Sequence, residues 1–180
     1  MTRAANGFSP ARGILLALLS TLSAAPSWAD TLVGTVVGVS DGDTVTVLVD
    51  GHREVHVRIA GIDAPEKRQP FGQAAKKLMS DCSFGKPASI EWKKLDRYGR
   101  TVGKLTVAGT DCGLQQIEAG LAWHYKAYER EQTPDDRLAY GTAEKAARTA
   151  GKGLWSDAAP QPPWEFRRLA KHGADPKSLP

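Results

Sequence analysis

The stretch Thr44-Val45-Thr46-Val47-Leu48-Val49-Asp50-Gly51-His52-Arg53-Glu54-Val55-His56-Val57-Arg58-Ile59 decides the fold class. Val45, Val47 and Val49 stand against Thr44 and Thr46, and Val55, Val57 and Ile59 stand against Glu54, His56 and Arg58. Successive side chains on a strand point to opposite faces, so this period of two marks half-buried antiparallel strands. Asp50-Gly51 between them is a strong hairpin signal, because glycine tolerates the positive φ that a type I′ turn demands. A third strand, Leu32 to Val39, precedes Ser40-Asp41-Gly42 and should pair with the second.

Outward from this core, Gly72 to Cys82 is rich in Ala, Lys, Leu and Met, which predicts a helix with Ala75, Leu78 and Met79 inside. Strand signals return at Ala88 to Trp92 and Val102 to Val107, separated by the charged turn Lys93 to Arg100. A short helix fits Leu114 to Ala119, stopped by Gly120, and Thr133-Pro134-Asp135-Asp136 opens a longer one to Ala150. Five short strands, a helix after the third and helices at the end predict an α+β fold, a five-stranded OB-type β-barrel with about three helices. Such a barrel binds oligonucleotides or oligosaccharides, so the fold alone leaves function open.

The 180 residues carry 24 Lys+Arg against 20 Asp+Glu and are 41% apolar, a soluble globular profile that excludes disordered, collagenous and disulfide-scaffold classes. Residues 1–29 hold Arg3, Arg12 and no acid, then the apolar run Gly13 to Ser20 and small residues ending Ser27-Trp28-Ala29. This reads as a signal peptide cleaved before Asp30, its apolar run too short to span a bilayer. Residues 30–157 form the expected domain, and residues 158–180 a Pro-rich basic tail of little periodicity with one aromatic anchor. The leader and the tail together account for the net charge of +4, so any attraction for anions must come from local clustering. The expected product is exported, periplasmic or secreted, monomeric, and without a membrane span after cleavage. In an oxidising compartment Cys82 and Cys112 can close one structural disulfide; two buried free thiols are the other reading.

Gly38-Val39-Ser40-Asp41-Gly42 matches the literal pattern of a nucleophile elbow, but that turn must lead into a helix, whereas residues from Asp43 onward alternate as a strand. Nor is Asp41-Gly42-Asp43 an EF-hand, since Val45 stands where an oxygen ligand belongs. Asp43 begins one strand and Asp63 follows the end of the next, and an antiparallel hairpin brings those ends together. Two carboxylates there, with a backbone carbonyl such as that of Ala64 and several waters, suit Ca²⁺. Asp41, Asp43 and Asp63 equally suit turn positions where Asp caps its own backbone, and spacing alone does not decide between the two. Arg58, Glu66 and Arg100 add two guanidinium groups and a carboxylate. Phosphodiester hydrolysis uses such a set, because the transition state gains negative charge that planar forks neutralise and a carboxylate can take a proton from water.

The sequence closely resembles the staphylococcal nuclease family. The residues that carry the resemblance are Val39-Ser40-Asp41-Gly42-Asp43-Thr44, Val57-Arg58-Ile59, Ile62-Asp63-Ala64-Pro65-Glu66, Asp96-Arg97-Tyr98-Gly99-Arg100, Gly120-Leu121-Ala122 and Gly151-Lys152-Gly153-Leu154-Trp155. The resemblance implies an OB-type barrel with three helices and a Ca²⁺-dependent endonuclease acting on DNA and RNA and leaving 3′-phosphate ends. It implies Asp43 and Asp63 as metal carboxylates and Ala64 as a ligand through its carbonyl. Glu66 would activate water, Arg58 and Arg100 would bind phosphate, and Tyr98 would lie near the bound nucleotide. Within Trp123-His124-Tyr125-Lys126-Ala127-Tyr128, Tyr128 best matches a nucleotide-stacking tyrosine, while Trp123 and Tyr125 also suit packing roles. The connection Lys67 to Phe71 is shorter than the mobile loop of the best-known member, a departure that bears on substrate preference.

A catalytically inactive OB-fold module that binds nucleic acid or a protein partner is the rival reading. It is disfavoured because both arginines, the glutamate and both metal acids are present. An oligosaccharide-binding barrel would need no arginine pair beside two carboxylates.

Overall fold

The computed structural model describes residues 1–2 and 30–171. The expected leader therefore lies, but for its first two residues, outside the described residues. Three strands, β1 (Asp30–Val39), β2 (Thr44–Val49) and β3 (Arg53–Ile59), form an antiparallel meander. The register sets Val45 against Val57 and Val47 against Val55, which directs the valines inward. Val45, Val47 and Val57 are fully buried. His52 N–H closes the hairpin turn on the Val49 carbonyl at 3.2 Å, with Asp50 and Gly51 at φ 53° and 73°. Both signs are those a type I′ turn requires.

The chain continues through β4 (Ile62–Asp63), α1 (Gly72–Ser83), β5 (Pro87–Leu95), β6 (Thr101–Val107), β7 (Thr110–Asp111), α2 (Cys112–Glu118), β8 (Trp123–His124), α3 (Pro134–Thr149) and α4 (Pro163–Lys171). β1 pairs with β5 on its other edge, β5 pairs with β6, and β6 returns parallel to β3 through Val57–Thr101, Arg58–Val102 and Ile59–Gly103. Five strands thus close into the OB-type barrel, with no open edge between β3 and β6. β5 runs further than the alternation indicated: a register shift between Trp92 and Lys94 keeps Lys94 and Leu95 paired with β6. A bulge accommodates the extra residue, so charged side chains remain on a strand.

Helix α1 buries Ala75, Met79 and Cys82 against the barrel, with Leu78 half-buried beside them. Cys82 near its end is disulfide-bonded to Cys112 at the start of α2, with the Cα atoms 6.0 Å apart. Asp111 caps α2 by accepting from the N–H groups of Gly113 and Leu114, and the Tyr140 hydroxyl of α3 donates to the same carboxylate at 2.9 Å. One acid therefore orients two helices. Thr133 caps α3 through the Asp136 N–H, as the sequence predicts.

The stretch expected to be an irregular tail contains a fourth helix. Pro163 supplies a preset φ in its first turn, Glu165 lies near its positive end, and Arg168 and Lys171 lie near its negative end. No helix among the described residues is long and apolar enough to cross a membrane.

The Cys82–Cys112 bond closes a loop of 30 residues. Chain-entropy theory gives about 3.6 kcal/mol for such a loop before native strain is subtracted. Reduction should lower the melting temperature by several degrees in calorimetry without changing the far-ultraviolet circular dichroism of the cold protein. An unchanged melting temperature would show that helix packing alone holds α1 to α2.

Candidate active site

Barrel closure brings three chain segments to one end: the start of β2, the end of β3 with β4, and the turn before β6. Asp43 immediately precedes β2, and its backbone carbonyl accepts from Ile59 N–H at 2.8 Å. Its side chain crosses to the next segment, accepting the Ala64 N–H at 2.7 Å and the Thr44 hydroxyl at 3.1 Å. Asp63 lies on β4, a two-residue strand held by β8 through Asp63–Trp123 and Ile62–His124, and is fully buried.

Arg58 joins the two acids. Its Nη2 lies 3.0 Å from Asp63 Oδ1 and 3.2 Å from Asp43 Oδ2, while Nη1 donates to the carbonyls of Ile59 and Ile62 at 2.7 and 2.9 Å. The carboxylates therefore converge on a single guanidinium nitrogen. Asp41 behaves differently: its Oδ1 accepts from the Asp43 N–H at 3.1 Å, so it caps its own turn. Turn-capping thus describes Asp41, whereas Asp43 and Asp63 face each other across the corner. Ser40 N–H bonds the Thr44 carbonyl at 2.8 Å in a strand-turn-strand, so no nucleophile elbow exists there.

Negative charge is crowded at this corner. Burial, with the charge of Asp43 second, pushes the Asp41 carboxyl up to about 6. Burial also raises Asp63, against the opposing pull of Arg167 and Arg58. Buried carboxylates that resist ionisation gain from a compact multivalent cation, and the oxygen-only donors are those a hard cation prefers. Asp43 and Asp63 offer two neighbouring buried carboxylates, the oxygen donors that a hard cation takes. Among the described residues no cluster of three or more His, Cys, Asp or Glu side chains is arranged for a metal, so backbone and water oxygens would have to complete any shell. Ala64 contributes here through its N–H, with its small side chain buried.

Arg100 reaches the corner through one intermediary. Its Nη1 lies 3.4 Å from the Thr44 hydroxyl, which itself donates to Asp43. Asp96 holds the guanidinium with contacts of 2.8 and 2.7 Å from Nε and Nη2. Tyr98 is exposed beside it, the Arg97 and Arg100 guanidinium carbons standing 4.8 and 5.6 Å from its ring centre. Tyr128 is exposed, 5.2 Å from the Tyr125 ring and under Lys94 Nζ at 5.0 Å. Trp123 is buried, meeting Trp155 and Trp164 edge-on at 4.4 and 5.4 Å, which is a packing role.

Sequence reasoning missed Arg167. Its Nη2 lies 2.7 Å from Asp63 Oδ2, and its Nη1 lies 3.1 Å from Asp63 Oδ1 and 2.9 Å from Glu66 Oε1. Glu66 is otherwise half-exposed at the rim of the corner. The available signals were Pro163 in a helix-opening position and Trp164 as an anchor, neither of which says where the next turn points.

Comparison with known proteins accords with this geometry. The family model described as Staphylococcal nuclease homologue matches residues 56–157, more than half of the chain. The chain belongs to the staphylococcal nuclease family. It is 40% identical over 159 residues to the "Micrococcal nuclease" of Shigella flexneri, covering 83% of this chain and 88% of that protein. It is 38% identical over 157 residues to an "Uncharacterized endonuclease" of Haemophilus influenzae, covering 87% and 84%. With "Protein ParB" of Escherichia coli it shares 37% identity over 169 residues, covering 88% and 92%.

In this member of the staphylococcal nuclease family the corner depends on Gly42. A Cβ there would fall 2.6 Å from the Cβ of Ala64 and 2.7 Å from that of Ala75, so the turn seats directly on the residue after β4 and on α1. Gly42→Ala should cost about 1–3 kcal/mol by overpacking. Urea denaturation should show a lower midpoint. A variant as stable as the parent would mean that the turn does not seat there.

Proposed function

We propose that the chain is an exported, Ca²⁺-dependent endonuclease that hydrolyses phosphodiester bonds of DNA and RNA with low sequence specificity and leaves 3′-phosphate ends. The observation that carries this reading is the convergence of Asp43 and Asp63 on Arg58, with Glu66 and Arg100 at the same end of the barrel. The leader-like residues 1–29 support export. The names of the relatives support nuclease chemistry.

Asp43 and Asp63 would hold the cation, with the Ala64 carbonyl and waters completing its oxygen shell. When bound, Ca²⁺ supplies a Lewis acid for the phosphate oxygens. Arg58 and Arg100 would lie beside the scissile phosphate, where guanidinium charge offsets the negative charge that builds on the equatorial oxygens. Asp96 holds Arg100 in plane for that contact. Glu66 accepts a proton from the attacking water, whose oxygen bonds to phosphorus as the P–O5′ bond breaks, and the departing 5′ oxygen takes a proton from solvent to leave as a hydroxyl. Tyr98 and Tyr128 offer flat faces for flanking bases, and stacking on a ring tolerates any base.

Degradation of single- and double-stranded DNA and RNA should require Ca²⁺, fail with chelator, and show little dependence on sequence. Ca²⁺ affinity should be weak, on the order of 10⁻⁴ to 10⁻³ M, because only two carboxylates bind it. Asp43→Asn or Asp63→Asn should raise the Ca²⁺ requirement. No cleavage in any condition would leave the non-catalytic OB module as the better reading.

Loss of a general base typically costs about 10² to 10⁴ in rate. Glu66→Gln should therefore lower kcat by at least about 10², while KM moves less than about tenfold because Arg58 and Arg100 still hold the phosphate. Wild-type turnover by the folded variant would make Glu66 a bystander.

A further inference from the structure

The geometry points to the C-terminal segment, residues 160–171, as a built-in competitor: with α4 docked, Arg167 occupies Asp63, one of the two carboxylates that would hold a divalent cation, so cation binding and docking exclude one another. This rests on the calcium reading above. Arg167 lays a two-pronged fork across both oxygens of Asp63 and reaches Glu66 with the same Nη1. Asp63 Oδ1 also accepts from Arg58. A Ca²⁺–oxygen bond of about 2.3–2.6 Å would have to enter where guanidinium hydrogens already point, and the two positive groups would repel one another. Glu66, the carboxylate offered to water in the proposed reaction, has its Oε1 engaged by the same guanidinium.

A second set of contacts, independent of charge, holds the helix in place. Trp164 stacks on Tyr125 with centroids 5.6 Å apart and planes 19° apart, the arrangement a nucleobase takes on an aromatic platform. Gln69 Nε2 donates to the Gln161 carbonyl at 2.5 Å, and Pro163 is buried. The docked segment therefore covers a ring with a ring and a cation site with a cation. A ligand that binds only the undocked form has its affinity reduced by the undocked fraction.

Calorimetric Ca²⁺ titration without nucleic acid tests this on the full chain, wild type against Arg167→Gln. The variant should bind roughly fivefold tighter or more. Trp164→Ala, which loosens the same helix without touching the carboxylates, should move affinity the same way. Hydrogen exchange followed by mass spectrometry should show residues 163–171 of the wild type exchanging faster when Ca²⁺ is added. Equal affinities with unchanged exchange would overturn the competition and leave the calcium reading intact. Weaker Ca²⁺ binding by Arg167→Gln would also overturn it, making Arg167 a helper of the site. Absence of Ca²⁺ binding in all three proteins would bring down the calcium reading and the competition with it.

Discussion

The parallel pairing of β3 with β6 is the constraint on which the remaining structure depends. It is the one parallel contact in a barrel otherwise built of antiparallel neighbours, and it joins strands far apart in the chain. Local hairpins can form without it, but the three valine-rich strands would then leave their buried face against water. Its register also sets Arg58 beside Val102, so the end of β3 and the turn before β6 arrive at the same rim. Asp43 is carried there by β2, whose first residue Thr44 pairs with Arg58. Closing the core and assembling the site are thus one event.

At that rim the balance of charge governs what can bind. Asp43 and Asp63 are buried acids, which an uncompensated protein interior penalises heavily. Arg58 answers part of this charge from the end of β3, and it is itself fixed by two carbonyls and cannot swing away cheaply. The remainder must come from a cation at the opening. Arg167 supplies it with α4 docked, and in the proposed function Ca²⁺ would supply it instead. A site built to attract a cation will attract the nearest one, and a tethered guanidinium acts at high effective concentration.

The hairpins were legible because period-two alternation and Asp50-Gly51 act over a few residues. Asp111 and Thr133 illustrate the same point for helix starts, where a cap needs only its own next turn. The site acids were legible as types, but spacing could not separate Asp41, which bonds its own turn, from Asp43, which bonds a residue 21 positions away. The β4–β8 pair escaped notice because two residues carry no periodicity. Arg167 escaped for a stronger reason: its partner Asp63 lies 104 positions earlier, and no local pattern encodes that distance. What sequence conveys well is therefore the set of groups at the corner, and what it conveys poorly is which of them are already engaged.

The short connection after Glu66 makes sense of that engagement. Gln69 N–H bonds the Glu66 carbonyl at 2.8 Å, Gly72 N–H bonds the Gln69 carbonyl at 3.0 Å, and Gln69 Oε1 accepts from Glu66 N–H at 3.2 Å. Residues 67–71 are thereby wound into consecutive turns, with the Gln69 side chain buried at their centre. Its side-chain Nε2 donates to the Gln161 carbonyl, at the approach to α4. This tight connection presents a fixed donor to the chain that approaches α4. The tight connection after Glu66 therefore forms part of the surface on which α4 rests, and with it the position from which Arg167 reaches Asp63 and Glu66.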